Sequence, residues 1–303
     1  MKKLTIVAGI LSVLFTGTIF ANSYKLPPSN DDLIGKVQYQ TSETGDNVIT
    51  IGEKYDVGFN AMQKANPLLD MNRGFTKGTS LQIPTSHLLP NQPRQGIVIN
   101  LPEMRLYYYA EGSTQVVTYP IGIGKIGKTI PIKRAKVTRK AENPTWTPPE
   151  DIREFNLEQG IVLPDVMPPG PDNPLGPYAI YMSIPTYLIH STIFPESIGK
   201  RASFGCIRMY QSDIEKLYPT VNKGIPIVII NDPVKVGWHK NKLYLEAYEP
   251  LEEHSDVYET SLPGIVSFVV NSTQDRLALV DWQAIAYISK ERDGIPHEIG
   301  MTL

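Results

Sequence analysis

The sequence predicts a mainly β protein, and three observations support this fold class. Runs of strand length alternate apolar and polar side chains between turns that contain glycine or proline. The chain has 26 prolines among 303 residues, and each proline removes a backbone donor that a helix would use. Hydrophobic residues make up 41 % of the chain, which suffices for a buried core. This length accommodates one large β-rich domain and a smaller one.

The charge balance gives no reason to expect a polyanionic partner. Lys and Arg number 29, and Asp and Glu number 31. Without a basic excess there is little to attract nucleic acid or an anionic membrane surface. We therefore expect no nucleic-acid partner.

The first 21 residues are typical of a secretory signal peptide. Lys2 and Lys3 form a basic start, and an apolar run over Leu4–Phe20 precedes Ala21, the expected cleavage residue. The run is short for a membrane span. Because Ile19 is larger than the residue preferred before such a cut, the site of cleavage stays open, and an uncleaved anchor is the alternative.

The exported chain contains one cysteine, Cys206. A single thiol cannot form an internal disulfide, although an oxidising compartment favours disulfides. It is therefore either an inert buried residue or a reactive thiol, and its surroundings decide between these alternatives.

Residues 35–84 have the pattern of a small βααβ unit after a polar linker. A short strand around Val37 precedes two helices over Val48–Tyr55 and Phe59–Asn66, and a strand over Gly78–Pro84 closes the unit.

Two tetrapeptides make this unit similar to a LysM module. They are Lys64-Ala65-Asn66-Pro67 at the end of the second helix and Leu81-Gln82-Ile83-Pro84 at the close. The similarity implies binding of wall glycan, and the alternative is a packing appendage without a ligand.

A β-rich region follows over residues 94–232. It begins with an alternating strand over Gly96–Leu101 and a hairpin over Arg105–Tyr119, and a further strand follows over Ala135–Arg139. A second hairpin over Tyr178–His190 and an apolar strand over Ile225–Ile230 complete it. Residues 143–177 are proline-rich without clear regular structure, which is typical of a lid, a binding loop or disorder. Residues 233–303 form a C-terminal extension with a strand over Leu243–Tyr248 and a helical pattern over Arg276–Lys290, and no chemistry stands out there.

The candidate chemistry lies at the end of the second hairpin and after it. His190 ends a predicted strand, and Cys206 lies just before a predicted helix. A thiol attacks a carbonyl as thiolate, which an imidazole or a positive charge favours. Gly205 allows close approach of a substrate, and Arg208 supplies a fixed cation.

Ile189-His190-Ser191-Thr192, followed by Ser203-Phe204-Gly205-Cys206-Ile207-Arg208, is similar to the signature of the L,D-transpeptidase (YkuD-type) catalytic domain. Three further stretches resemble the Gram-negative periplasmic branch of that family, which often carries a LysM-like unit: Asn100–Tyr107, Asn143–Pro149 and Pro169–Pro174. The resemblance covers residues 35–235.

The resemblance implies a β-sandwich-like catalytic domain without metal or cofactor, acting in the periplasm on peptidoglycan stem peptides and glycan. The enzyme would attack the diaminopimelate carbonyl of a tetrapeptide, release D-alanine and transfer the acyl group to an amine. The resemblance implies that Cys206 is the nucleophile and His190 its base. It also implies that the backbone carbonyl of Ser191 orients the base and that the backbone at Gly205 binds the oxyanion. Ser203, Phe204 and Arg208 are the candidate substrate-binding residues, with Arg208 in a structural or carboxylate-orienting role. Trp146 is a further candidate as a lid residue over the acyl donor, and the alternative is that it only anchors the loop.

Two positions depart from the family pattern. Ser191 stands where glycine is common, a mild change because either residue supplies a carbonyl. Phe204 stands where histidine is usual, so its effect on substrate positioning stays open.

Several alternatives remain. The acyl acceptor is a diaminopimelate amine, a lipoprotein lysine or water, and water would make the enzyme a hydrolase. A catalytically impaired wall-binding protein is the alternative from another class. The remaining histidines lack metal-ligand spacing and are expected at the surface: His87, His239, His254 and His297.

Overall fold

A computed structural model describes residues 23–254 and 261–303. The predicted signal peptide over residues 1–21 lies outside these ranges. Within them, no helix is both long enough and apolar enough to cross a bilayer.

The described residues form mainly strands. In chain order the strands are β1 Ser23–Lys25, β2 Leu33–Gly35, β3 Gln38–Thr41, β4 Ser80–Ile83, β5 Ser86–Leu88, β6 Gly96–Asn100, β7 Arg105–Tyr109, β8 Gln115–Pro120, β9 Ile123–Gly124, β10 Arg134–Glu142, β11 Tyr178–Met182, β12 Leu188–Ser191, β13 Arg201–Ser203, β14 Ile207–Met209, β15 Pro226–Ile230, β16 Val234–His239, β17 Lys242–Ala247, β18 Ala278–Val280 and β19 His297–Thr302. The α-helices are α1 Val48–Tyr55, α2 Phe59–Ala65, α3 Glu150–Glu158, α4 Gln211–Leu217, α5 Leu262–Ser272 and α6 Trp282–Glu291. The predicted mainly β fold is confirmed.

The largest sheet in the described ranges has nine strands, in the order β1-β8-β7-β6-β15-β10-β11-β12-β14. Strand β10 joins its two halves, because Arg134–Lys136 pair with β15 and Val137–Glu142 pair with β11, with an irregularity between Val137 and Arg139. Side chains from both halves share one hydrophobic cluster, for example Ile99 from β6 and Ile180 from β11. A core enclosed by two halves of a sheet matches the sandwich-like expectation.

The tyrosines of β7 follow the alternation of a strand. Tyr108 lies in the main cluster, whereas Tyr107 and Tyr109 lie in a second cluster on the opposite face, with Ile34 and Leu89. Strand β1 pairs with β8. The interpretation of the polar segment before residue 35 as a linker is therefore wrong. Its backbone bonds extend the sheet.

The N-terminal unit has the expected βααβ order, from β3 through α1 and α2 to the antiparallel partner β4. Asn47 caps α1 by accepting hydrogen bonds from the backbone N–H groups of Ile49 and Thr50. Apolar side chains fill the interior, among them Ile51, Met62, Leu81 and Ile83.

This unit packs against the central β-rich region through the start of α2. The backbone N–H groups of Phe59 and Asn60 donate to the carbonyl oxygens of Ile198 (3.0 Å) and Gly199 (3.2 Å). Gly199 has φ +77°, and a Cβ there would lie 2.3 Å from the nitrogen of Phe59. Only glycine permits this contact, just before β13.

The C-terminal extension forms a second sheet in the order β16-β17-β19-β18. Helices α5 and α6 cover one face and bury Ile265 and Ile285 against Leu243 and Leu245. The strand predicted over Leu243–Tyr248 corresponds to β17. The helical prediction over Arg276–Lys290 is partly wrong, because β18 precedes α6.

The proline-rich passage over residues 143–177 contains helix α3, so the expectation of no regular structure is wrong. The acidic side chains of Glu150 and Asp151 lie in its first turn, where their negative charges interact favourably with the helix dipole and stabilise the helix. No residue of α3 is buried, and it has only three apolar side chains, Ile152, Phe155 and Leu157, which are too few for a clear helical pattern within a proline-rich passage.

A buried ion network joins the C-terminal sheet to the central one. The ammonium of Lys235 lies 3.0 Å from Glu103 and 2.9 Å from Glu246, and it also donates to the carbonyl oxygen of Leu88 at 2.7 Å. Tyr107 donates to Glu103 at 2.5 Å. Because these charged groups are nearly all excluded from water, each depends on the others.

His87 belongs to this network, so its expected surface position is wrong. It is 4 % exposed, and burial lowers the pKa of His87 well below its usual value. Its ligating nitrogen and the carboxylates of Glu103 and Glu246 lie close enough to surround a metal ion. The ammonium of Lys235 already lies between the two carboxylates and balances their charge. His239 and His297 are half-buried and pair with Asp31 and Asp293, and the side chain of His254 lies outside the description.

We predict that Lys235→Met lowers the free energy of unfolding by about 3–5 kcal/mol, because two buried carboxylates lose their countercharge. Lys77→Met is the matched control, since Lys77 pairs with Glu43 at the surface, and it should cost less than about 1 kcal/mol. Urea denaturation of the mature chain measures both. Equal effects of the two substitutions would contradict the importance of the network.

Candidate active site

Parallel pairing of β12 with β14 brings the predicted catalytic residues together. The register places Ile189 beside Ile207 and His190 beside Arg208. Both isoleucines are buried in the main cluster, and successive side chains of a strand point to opposite faces. His190 and Arg208 therefore face away from that core, and Cys206, two residues before Arg208, lies on their side.

This side opens into a cleft of about 1280 Å³. Its walls come from the loop 127–129, strand β10, residues 144–175 and the turn 184–188, and Cys206 lines it together with His190. The volume exceeds the range of about 300–1,000 Å³ that is typical of small-molecule sites. An extended peptide fits such a space better than a single small metabolite.

The imidazole of His190 is fixed in one tautomer by its neighbour in sequence. Its Nδ1 lies 2.5 Å from the backbone carbonyl oxygen of Ser191. A carbonyl only accepts hydrogen bonds, so Nδ1 carries the proton and Nε2 is left to accept one. The hydroxyl of Ser191 donates to the carbonyl oxygen of Leu175 at 2.9 Å, which holds this segment in place.

His190 is neutral at physiological pH. Burial, followed by the charge of Arg208, lowers the pKa of His190 to about 4, and hydrogen bonds with the backbone of Ser191 and Leu175 oppose part of that decrease. A neutral imidazole is the form able to take a proton.

Cys206 is half-buried, and its Sγ lies 3.7 Å from the carbonyl oxygen of Thr186. Burial raises the pKa of the Cys206 thiol, while a backbone hydrogen bond at Leu188 and the charge of Arg208 offset part of that rise. The resting site therefore contains a protonated thiol and a neutral imidazole, rather than a thiolate and an imidazolium.

The loop before Cys206 is held by the hydroxyl of Ser203. This hydroxyl donates to the carbonyl oxygen of Cys206 at 2.6 Å and accepts from the backbone N–H of Gly205 at 3.1 Å. The backbone N–H of Gly205, which the resemblance assigns to the oxyanion, is thus engaged by Ser203 in the resting structure. Within residues 23–254 and 261–303, the N–H of Cys206 has no hydrogen-bond acceptor.

Glycine is required at position 205 for two reasons. Gly205 has φ +115°, and a Cβ there would lie 2.7 Å from the ring of Tyr187 and 2.9 Å from the carbonyl oxygen of Lys128. The loop thus brings the backbone of Gly205 against two walls of the cleft.

The remaining predicted residues also line the cleft. Arg208 is half-buried with its guanidinium 5.7 Å from the ring of Phe194, and its buried Nε has no partner in the described chain. Trp146 is tied to Met167 by backbone hydrogen bonds across the cleft wall. Phe204 contacts Phe155 of α3, with ring centroids 5.1 Å apart.

One expected feature differs from the structure. Cys206 precedes strand β14, and α4 begins only at Gln211, with Tyr210 as N-cap. The N-terminus of that helix is thus separated from the thiol by a strand. Electrostatic support for the thiolate comes from Arg208 instead.

The catalytic-domain profile of the L,D-transpeptidases matches residues 94–230. The chain is 40 % identical to the probable L,D-transpeptidase YcfS of Escherichia coli K12 over 287 residues, which cover 92 % of this chain and 88 % of that relative. It is 36 % identical to the probable L,D-transpeptidase YbiS of the same strain, covering 98 % of both. It is also 38 % identical to the probable L,D-transpeptidase ErfK/SrfK of that strain, covering 86 % of this chain and 84 % of the relative.

The chain belongs to the L,D-transpeptidase family.

Sequence reasoning missed two contributors to this L,D-transpeptidase cleft. Thr186 has φ +71° in the turn between β11 and β12, a strained value for a β-branched residue, and its carbonyl receives the thiol. Arg139 lies over the ring of Tyr181 at 3.2 Å on another wall. Pro185 indicated a turn in the sequence. The orientation of the Thr186 carbonyl toward the thiol could not be predicted, because it depends on the strained backbone at Thr186.

We predict that alkylation of Cys206 by iodoacetamide accelerates about tenfold per pH unit up to pH 9 and above. The pKa of this thiol is raised, so the thiolate fraction keeps growing over that range. The chain has one cysteine, so loss of free thiol reports this site alone. A rate that is already constant between pH 6 and 7 would indicate a thiolate–imidazolium pair and contradict the assignment.

Arg208→Gln tests the origin of the electrostatic support. Loss of the positive charge should raise the pKa of the Cys206 thiol and slow alkylation at a given pH. Arg208→Lys keeps the charge and is the matched control. Equal slowing in both variants would mean that shape, rather than charge, is responsible.

Proposed function

We propose that Cys206 is the nucleophile of peptidoglycan L,D-transpeptidation and that His190 is its base. The observation that carries the proposal is the hydrogen bond from His190 Nδ1 to the carbonyl of Ser191. It leaves Nε2 as the acceptor on the face of the sheet that carries the only cysteine of the chain. A nucleophile, a base and a group that orients the base form the arrangement required for acyl transfer.

The first half-reaction forms a thioester. His190 Nε2 takes the thiol proton as the sulfur of Cys206 attacks the diaminopimelate carbonyl of a tetrapeptide stem. The bond from that carbonyl to the nitrogen of D-alanine breaks, and the imidazolium returns the proton to the leaving amine. Because the resting thiol and imidazole are both uncharged, proton transfer accompanies the attack.

The second half-reaction restores the enzyme. An acceptor amine attacks the thioester and loses a proton to His190, and the carbon–sulfur bond breaks. The sulfur then recovers the proton. The backbone N–H of Cys206, which has no acceptor in the described chain, would stabilise the oxyanion in both half-reactions.

The cleft suits an anionic peptide. Arg208, Arg139 and Lys128 all line it, and a stem peptide carries carboxylates on diaminopimelate and on its terminal D-alanine. Guanidinium groups bind carboxylates with two parallel hydrogen bonds. Trp146 and Tyr181 supply apolar surface for the remainder of the stem.

The acceptor is an amine of a second stem or a lysine of an outer-membrane lipoprotein, and water is the competing acceptor. Both substrates lie in the periplasm, where a cleaved signal peptide would deliver the enzyme. The cleft is open enough for an acceptor to approach between residues 144–175 and the turn 184–188.

The N-terminal unit would hold the enzyme on wall glycan in the manner of a LysM module. Its βααβ order supports this, as do two exposed side chains near Gln82: Tyr39 is 70 % exposed and pairs with Gln82, and Leu68 is 97 % exposed just after Asn66, which bonds to Gln82. The backbone bonds of Phe59 and Asn60 to the catalytic region favour a packing role in addition.

We predict that Cys206→Ala abolishes D-alanine release from a disaccharide tetrapeptide without changing the circular dichroism spectrum. His190→Gln should lower the rate by about 10²–10⁴-fold, the usual contribution of a general base. Mass spectrometry identifies the products. Crosslinked dimer supports transpeptidation, and tripeptide alone supports hydrolysis or a missing protein acceptor. Turnover by Cys206→Ala would refute the proposal.

A separate prediction concerns the N-terminal unit. Combined Tyr39→Ala and Leu68→Ala should reduce co-sedimentation with purified sacculi, while Cys206→Ala should co-sediment like the unchanged protein. The exposed pair Lys77→Met and Glu43→Gln on the same unit is the control. Unchanged sedimentation of the Tyr39/Leu68 variant would leave the unit with a packing role only.

A further inference from the structure

Helix α3 is attached to the catalytic body by a small set of side chains. None of its residues is buried. Arg153 bonds to Pro148 and Asp165, which belong to the same proline-rich passage. Such contacts shape the passage but do not hold it against the sheet.

Phe204 provides an aromatic contact to α3. The rings of Phe204 and Phe155 meet edge to face, with centroids 5.1 Å apart and an interplanar angle of 68°. This is a preferred geometry for an aromatic pair. Phe155 is 40 % exposed, so the pair lies at the rim of the cleft, and Phe204 is two residues from Cys206.

Lys125 lies over both rings. Its ammonium is 3.9 Å from the centroid of Phe155 and 3.8 Å from that of Phe204. One cation therefore attracts the faces of two rings. The backbone N–H of Lys125 donates to the carbonyl oxygen of Ser203 at 2.9 Å, which ties the cation to the loop that carries Cys206.

Lys128 adds an ion pair to the same helix. Its ammonium lies 2.5 Å from the carboxylate of Asp151, one turn before Phe155 on α3. Its carbonyl oxygen lies against Gly205. The loop 125–128 thus contacts both the segment 203–205 and helix α3.

We propose that Phe204 is a positioning residue that acts through Phe155, Lys125 and the Lys128–Asp151 pair to hold α3 closed over the stem peptide. We call these five residues the lid latch. The inference rests on the proposed function and extends it, because it makes binding of the acyl donor depend on a contact outside the reacting atoms. Phe204 thereby sets the affinity for the tetrapeptide, and the reactivity of the thiol is independent of it.

Disruption of the latch should weaken donor binding selectively. Phe155→Ala removes one ring, and Lys125→Met keeps the length of the side chain but removes the charge. Contacts of this kind shift a closed population by roughly threefold to tenfold, so KM for the tetrapeptide should rise by about that factor while kcat changes less than about twofold. Phe155→Tyr retains the ring and should restore KM.

Leu157→Ala is the matched control, because Leu157 lies on the same helix and is 63 % exposed. It should leave KM unchanged. Iodoacetamide is small enough to bypass the lid, so its rate with Cys206 should be the same in all variants. If KM rises equally in Leu157→Ala, or if alkylation changes with KM, the effect is general loosening and the latch is refuted.

Hydrogen exchange of the free protein separates the latch from the proposed function. The amides of residues 150–158 should exchange faster in Phe155→Ala and Lys125→Met than in Leu157→Ala. In the unchanged protein, the same amides should exchange faster at higher salt than at lower salt. No turnover is needed for this result. Unchanged exchange would overturn the latch even if transpeptidation is established, and faster exchange would support it even if the enzyme proves to be a hydrolase.

Discussion

The parallel pairing of β12 with β14 is the constraint on which the active site depends. It places His190 beside Arg208 on the face opposite Ile189 and Ile207. A shift of one residue would turn His190 into the core and direct an isoleucine into the cleft. The same pairing sets the charges, because Arg208 lowers the pKa values of both His190 and Cys206. The charge of Arg208 therefore favours the neutral imidazole, which accepts a proton, and also favours loss of the thiol proton.

Neither terminal unit is an independent appendage. The first turn of α2 bonds to Ile198 and Gly199, immediately before β13 and the loop of Cys206. The C-terminal sheet reaches the central one through Lys235, whose ammonium is enclosed by Glu103 and Glu246. A buried cation between two carboxylates fixes orientation more than it adds stability. Both units are therefore joined to the central sheet region by hydrogen bonds or ion pairs.

The sequence allowed prediction of features that depend on local periodicity. Alternation located the strands around Tyr108 and His190, and signature residues located the thiol. Helix α3 was not predicted because it is short, lies among prolines and has only three apolar side chains, none of them buried. His87 was misplaced because its burial arises from segments far apart in sequence. The hydrogen bond from the Gly205 N–H to the Ser203 hydroxyl could not be predicted, because it depends on a loop conformation at φ +115°.

The central claim is that the acyl group passes through Cys206, and trapping the acyl-enzyme tests it most directly. The mature protein would be mixed with disaccharide tetrapeptide in the absence of an acceptor, quenched in acid and digested for mass spectrometry. We expect a mass increase equal to the donor minus D-alanine on the peptide that contains Cys206. Release of D-alanine with that peptide unmodified, and at the same rate after iodoacetamide treatment, would contradict it.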